Sequence, residues 1–99
     1  MALSERQKKH LRRIGHDLRP IVLVGQRGLN PGVVEELRLA LDHHELVKLR
    51  ARAGDRESRD EILAELARQT GAELVYRIGN VGLFYKKNNR MQKVLLPDS

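Results

Sequence analysis

Two strand patterns on either side of a helical pattern constrain the fold of this 99-residue chain more than any other feature. Residues 21–24 form a wholly apolar run, and residues 46–53 alternate apolar and basic side chains with the period of two typical of a strand. Between them, Asn30 and Pro31 are a favourable N-cap and first residue for a helix. A strand–helix–strand unit predicts a right-handed crossover between parallel strands. Because the first run has no polar residue, we expect a central strand that is covered on both faces.

The other two helices are predicted from caps and spacing. Ser4 is a suitable N-cap for a first helix that runs to about Leu18, with apolar residues at helical intervals. Ser58 and Glu61 have the spacing of a capping box and predict the start of a third helix. Gly71 suits the position just after that helix, where glycine is the usual residue.

A hairpin completes the predicted sheet. Glu73–Ile78 and residues 81–87 have the composition of strands, and the Gly-Asn pair at residues 79–80 favours a tight turn between them. The order of elements is α-β-α-β-α-β-β, so we predict a single compact α/β domain with a four-stranded mixed sheet. The domain occupies the whole chain, with a core at about residues 3–87 and a polar tail at residues 88–99.

The loop Gly25-Gln26-Arg27-Gly28, between the first strand and the second helix, is the strongest candidate for a binding site. Glycine lets a backbone approach a ligand, a helix start attracts anions, and Arg27 can grip a phosphate or stack on a base. The residues after the second glycine do not fit a P-loop, and the third glycine of a dinucleotide-binding loop is missing. The G-x-x-G spacing matches the loop that clamps nucleic-acid backbone in KH modules, although KH loops join two helices. An ordinary strand–helix turn is the alternative.

The formal net charge of +6 favours a polyanionic partner. Both ends of the chain are rich in lysine and arginine, whereas residues 35–73 are mildly acidic. One cationic face is therefore expected if the two ends lie on the same side, and a charged surface that only aids solubility is the alternative. Aromatic residues make up 3% of the chain, so we expect phosphate contacts and recognition of RNA shape rather than base stacking.

No catalytic residue, metal site or cofactor is predicted. The chain has no cysteine, and the adjacent His43 and His44 point in different directions on a helix, so one ion cannot readily bind both. We expect His43 in solvent and His44 at the edge of the core. The opening residues are charged and no segment is long and apolar enough to span a membrane, so a monomeric cytoplasmic protein is expected.

Four stretches of the sequence resemble the CRM domain (chloroplast RNA splicing and ribosome maturation) in its stand-alone bacterial YhbY-like form. They are LSERQKKHLRRIGHDLRPIVLVG, GQRGL, VVEELRLALDHHELVKLR and ARQTGAELVYRIGNVGLFYKK, and they lie in order within residues 3–87. The resemblance implies a fold related to the C-terminal domain of translation initiation factor three. It also implies RNA binding through the glycine loop, and association with precursors of the large ribosomal subunit. Members often have Tyr-Arg where this chain has Tyr85 and Lys86, and lysine lacks the planar fork of arginine.

The residues that we predict to bind RNA lie in the loop, cap the helix that follows it, or are basic. They are Gly25, Gln26, Arg27, Gly28, Asn30, Lys8, Lys9, Arg12, Arg13, Lys48, Arg50, Lys86, Lys87 and Arg90. The loop would hold the RNA backbone, and the first helix would supply a track for further phosphates. Lys48 and Arg50 belong to this set only if no helix covers their face of the strand, since their stems would otherwise be structural.

Two other functions are compatible with the sequence. One is a protein-docking module on the ribosome without an RNA site of its own, and the other is an enzyme such as a nuclease. No serine or threonine lies in an activating pattern, which disfavours the enzyme. Salt distinguishes RNA binding from docking, because phosphate contacts weaken steeply as salt rises and an apolar interface does not.

Overall fold

A computed structural model describes residues 3–88 and 94–97 of the chain. The predicted order of elements is confirmed. The elements are α1 (Glu5–His16), β1 (Val22–Val24), α2 (Pro31–His44), β2 (Leu46–Ala51), α3 (Arg56–Thr70), β3 (Glu73–Ile78) and β4 (Val81–Tyr85).

The four strands form one mixed sheet in the order β1-β2-β4-β3. β1 and β2 are parallel, as the strand–helix–strand pattern predicts, and the two remaining pairs are antiparallel. The expectation that the first strand is central is wrong, because β1 lies at the edge of the sheet. Val22 and Val24 are buried on one face, whereas Ile21 and Leu23 are each 52% exposed on the other. The position of a strand in a sheet depends on long-range pairing, which an apolar run does not encode.

The helix caps follow the sequence closely in two of three cases. Ser4 caps α1 and Asn30 caps α2, as predicted. α3 begins earlier than expected, because the carboxylate of Asp55 accepts the backbone N–H of Ser58 at 2.9 Å and is the N-cap. Ser58 is therefore the third residue of the helix, and the predicted capping box with Glu61 is wrong. Aspartate is as good an N-cap as serine, so the earlier cap adds a turn to the helix.

The sheet separates two apolar clusters. One lies between the sheet and helices α2 and α3, and it includes Leu37, Leu63 and Phe84. The other lies on the opposite face under α1, and it includes Leu11 and Leu83. The molecule thus has three layers, which is a common way to bury both faces of a sheet.

Gly15 allows α1 to lie close to the sheet. A Cβ at this position would come within 2.7 Å of a methyl group of Leu83, which is shorter than any real carbon contact. A larger residue here would force either the side chain of Leu83 or α1 itself to shift, which would disturb the second cluster.

Glu45, between α2 and β2, ties the C-terminal segment to the domain. It is fully buried and has a φ of +60°, which is rare for a residue other than glycine. Its carboxylate accepts the backbone N–H of Asn88 and, at 2.7 Å, that of Val94. Val94 and Leu96 pack against the second cluster, so this part of the predicted polar tail is partly buried. The rest of the predicted tail, residues 89–93 and 98–99, lies outside the described residues.

Candidate nucleic-acid interface

The glycine loop is a tight turn at one end of the sheet. It begins directly after β1, and the N–H of Gly28 donates to the carbonyl oxygen of Gly25 at 3.0 Å. Gln26 and Arg27 occupy the tip of the turn, and both are exposed. The strand on one side and the capped helix on the other fix the turn, so its position does not depend on its own side chains.

The two glycines of the loop serve different needs. Gly28 has a φ of +77°, a conformation that L residues adopt only at a cost. Gly25 does not have a positive φ, and a Cβ on it would meet no atom of the described residues within 4 Å. Gly28 is therefore required by the turn itself. Nothing in the fold requires glycine at position 25, so its missing side chain leaves free surface beside the backbone for a ligand to approach.

The start of α2 adds a partial positive charge next to the loop. The side chain of Asn30 accepts the backbone N–H of Val33 at 3.0 Å, and Pro31 is the first helical residue. No acidic residue lies in the first turn, so nothing there offsets the helix dipole. Asn30 was predicted to bind RNA, and the structure gives its side-chain oxygen a capping role as well.

Arginines from neighbouring segments surround the same end of the sheet. The N–H of Arg52, just after β2, donates to the carbonyl of Val24 at 2.8 Å, which places Arg52 beside the start of the loop. Arg27 and Arg52 are both exposed, and neither forms an ion pair among the described residues. Sequence reasoning did not include Arg52 in the site. Arg56, the first residue of α3, is also exposed, but it is flanked by Asp55 and Glu57.

Two acidic residues of this end are engaged. Asp55 caps α3, and the backbone N–H of Ser58, followed by the hydroxyl of Ser58, holds the pKa of its carboxyl below the ordinary value. Asp60 forms an ion pair with Arg77. We call the residues 25–30 and Arg52 the loop-end surface.

The outer face of α1 carries a second basic surface. Arg6, Lys9, Arg12 and Arg13 are exposed there, whereas Lys8 is half-buried with its amine 3.9 Å from Glu5. Arg6, Lys9 and Arg13 also border a polar cleft, together with His10 and Pro97. The predicted basic helix therefore presents four of its cations to solvent.

These two basic surfaces are not one patch. The loop follows Val24, which pairs with Ala51 at the far end of β2. The cleft on α1 adjoins residues 94–97, which are held by Glu45 just before the start of β2. Five residues of strand separate the two ends of β2, or about 17 Å. The two ends of the chain do lie together, as the expectation of one cationic face required, because the side chain of Gln7 donates to the carbonyl of Pro97 at 2.9 Å and the His10 ring lies 2.8 Å from the carbonyl oxygen of Leu95. The glycine loop lies apart from them.

Lys48 and Arg50 do not form an open basic face. Lys48 pairs with Leu83 in the sheet, on the side where α1 packs, and it is half-buried. The aliphatic stem of Lys48 therefore packs under the helix, and Lys48 does not belong to the RNA-binding set. Arg50 is also half-buried, but it lies nearer the sheet edge, beside Leu23 of β1.

The C-terminal lysines lie at the end of the sheet opposite the loop. The amine of Lys86 donates to the carbonyl of Thr70 at 2.8 Å and so stabilises the last turn of α3. Lys87 is exposed. The third predicted residue of this group, Arg90, lies outside the described residues.

The histidines of α2 do not form a site. Both His43 and His44 are exposed, so the expected position of His44 at the edge of the core is wrong. Within residues 3–88 and 94–97, no three histidine, cysteine, aspartate or glutamate side chains come together to hold a metal ion. In the same ranges, no helix has the length and apolar character needed to cross a membrane.

The fold and its loop-end surface define a small basic α/β domain with an exposed glycine loop at one end of its sheet. Comparison with known proteins agrees with this class. The family model of the CRS1 / YhbY (CRM) domain matches residues 3–86. The chain belongs to the CRM domain family, which confirms the resemblance in its sequence.

Several relatives match almost the whole chain. A probable RNA-binding protein of Pseudomonas aeruginosa is 42% identical over 95 residues, which cover 96% of this chain and 91% of the relative. An RNA-binding protein of Haemophilus influenzae is 38% identical over 95 residues, with coverage of 96% and 95%. The solution structure of a Staphylococcus aureus protein, described as a candidate RNA-binding protein, has a TM-score of 0.84 and 27% identity. The match covers 97% of this chain and 100% of that protein.

Proposed function

We propose that this protein binds RNA, with the loop-end surface as the centre of the site. The observation that carries the proposal is the glycine loop itself. The loop is exposed, carries Arg27 at its tip, has free space beside Gly25, and lies next to Arg52. The names of the relatives support RNA as the polyanion.

The contacts in this mechanism divide by chemistry. A phosphate lies against the backbone at Gly25 and the start of α2, where N–H groups and the helix dipole favour an anion. The guanidinium of Arg27 grips the same or the next phosphate with two parallel hydrogen bonds. The exposed cations of α1 add further phosphate contacts, which raise affinity without reading sequence.

We further propose that the RNA is ribosomal, within precursors of the large subunit, where the protein holds or shields a segment during assembly. This proposal comes from the family resemblance. A tagged protein should then co-sediment with large-subunit precursor particles, and Arg27→Ala should lower the fraction that does so. Sedimentation only as free protein, or with small-subunit particles, would contradict the ribosomal part and leave RNA binding to be tested separately.

The direct test is an anisotropy titration of a fluorescent large-subunit RNA fragment at several salt concentrations. Arg27→Ala should cost about 1–3 kcal/mol, the scale of a charge-assisted hydrogen bond, and should reduce the salt slope by about one. Arg68→Ala is the matched control, because it removes one positive charge from an exposed arginine that is paired with Glu65 on α3.

Three results would count against the proposal. Equal losses in the two variants would mean that net charge, and not the loop, governs binding. If binding is tight and weakens steeply with salt but is unchanged by Arg27→Ala, the centre of the site would be on α1 instead of the loop. Absence of binding to every ribosomal fragment at physiological salt would favour the protein-docking alternative.

A further inference from the structure

An open groove adjoins the glycine loop on the α1 side of the sheet. It has a volume of about 260 Å³ and is lined by Pro20, Ile21, Val22, Leu23, Arg50 and Arg52. Its floor is unusual, because the two large apolar side chains there are each about half exposed. The groove therefore combines uncovered apolar surface with two arginines.

The strand order explains why this surface is open. Leu23 pairs with Arg50, so their side chains lie on the same face of the sheet, the face on which α1 packs. α1 contacts β2 and β3, whereas β1 lies at the edge beyond β2. Ile21 and Leu23 are consequently on the α1 face but not under the helix.

Arg50 is held in this groove rather than extended into solvent. The residue is half-buried, and its Nε atom is buried without a hydrogen-bond partner among the described residues. Because Nε is closed to solvent, a ligand in the groove would meet the exposed part of the Arg50 side chain. A guanidinium plane also stacks well on a flat base.

We propose that the groove binds the base and ribose of one unpaired nucleotide of the RNA, while a neighbouring phosphate lies on the glycine loop. This inference rests on the proposed function. Leu23 and Ile21 would contact the apolar faces of the base and sugar, and Arg50 and Arg52 would contact its polar edge or phosphate. Gly25 follows Leu23 by two residues, or about 7 Å of strand, so groove and loop can act on consecutive nucleotides.

Charge argues for a nucleotide over a protein strand at this edge. The groove is lined by two arginines and no acidic residue, and Arg27 lies just beyond it. β1 is only three residues long, which gives a partner strand little backbone to pair with. The consequence is that the protein should prefer RNA with an unpaired nucleotide, which adds to the recognition of RNA shape expected from the sequence.

The test compares two fluorescent RNA hairpins that differ by one unpaired, bulged nucleotide in the stem. The full-length wild-type protein should bind the bulged hairpin about tenfold more tightly than the perfect one, which corresponds to about 1.4 kcal/mol. Leu23→Ser should abolish that preference, leave binding to the perfect hairpin unchanged, and leave the salt slope unchanged because no charge is removed.

Two further variants keep the result interpretable. Leu39→Ser is the matched control, because Leu39 is 53% exposed on α2 and should not touch the RNA. Arg50→Lys keeps the charge but loses the planar group, and it should weaken binding of the bulged hairpin selectively. Thermal unfolding of each variant verifies that the fold is retained.

The outcomes separate this inference from the proposed function. Equal affinity for the two hairpins, or equal losses from Leu23→Ser and Leu39→Ser, would overturn the groove as a nucleotide site while RNA binding stands. Failure to bind either hairpin would overturn both. Selective loss of the bulged hairpin in Leu23→Ser and Arg50→Lys would establish the groove.

Discussion

Alanine substitutions at the two loop glycines should have opposite effects on stability and on RNA binding. Gly28→Ala places a Cβ on a residue with a φ of +77°, and the left-handed conformation costs an alanine about 1–2 kcal/mol. For a domain of this size, that loss lowers the Tm by roughly 4–16 °C. Gly25→Ala adds a Cβ in open space without a positive φ, so stability should be unchanged or rise by up to about 1 kcal/mol.

For RNA affinity, the substitution at Gly25 should matter, although it does not reduce stability. The new methyl group at Gly25 would occupy the space beside the backbone where we place the phosphate, so the affinity of Gly25→Ala should fall at least fivefold, or about 1 kcal/mol. Stability is measured by urea unfolding followed by circular dichroism, and affinity by anisotropy with the same protein samples. Unchanged affinity in a fully folded Gly25→Ala variant would refute close approach of RNA at this residue.

Three other predictions concern the core and the second basic surface. Glu45→Gln replaces one acceptor oxygen that faces backbone N–H groups, so urea unfolding should show a loss of about 1–3 kcal/mol, and no loss would mean that these hydrogen bonds contribute little. Burial, and then the charge of Glu45, raises the pKa of Tyr85 above its ordinary value. The unfolded chain therefore loses this proton first, near the ordinary pKa of 10.0, and stability falls as pH rises from there through the raised pKa, so Tyr85→Phe should remove that fall in urea unfolding. Because Arg27 and Lys9 lie on separate surfaces, the RNA-binding losses of the two alanine variants should add within about 0.5 kcal/mol in the double variant, and strong coupling would indicate one shared contact.

Local signals in the sequence predict most of the fold. Periodicity, composition and turn residues together identify every helix and strand, and the caps at Ser4 and Asn30 fix two helix starts to the residue. The edge position of β1 escapes prediction because it depends on which strand pairs with β2 on its other side. An apolar run is compatible with a buried central strand and with an edge strand whose outer face is a binding surface.

The site divides in the same way. The loop and the basic face of α1 are visible in the sequence, because glycine spacing and helical spacing are local patterns. Arg52 was not recognised, since the fold brings it beside the loop from a different part of the chain. Glu45 carries no signal at all, because no pattern marks a buried carboxylate or a positive φ at a residue other than glycine.

The separation of the basic surfaces bears on how such a small domain can be selective. Phosphate contacts on α1 act on any RNA, whereas the loop and the adjoining groove lie at a sheet end whose geometry is fixed by β1, β2 and the start of α2. An RNA that meets only one surface loses the affinity of the other, and an RNA that meets both must present backbone at two separate points. Distance between the surfaces therefore selects RNA shape, and the groove beside Leu23 adds selection for an unpaired nucleotide at one of the two points.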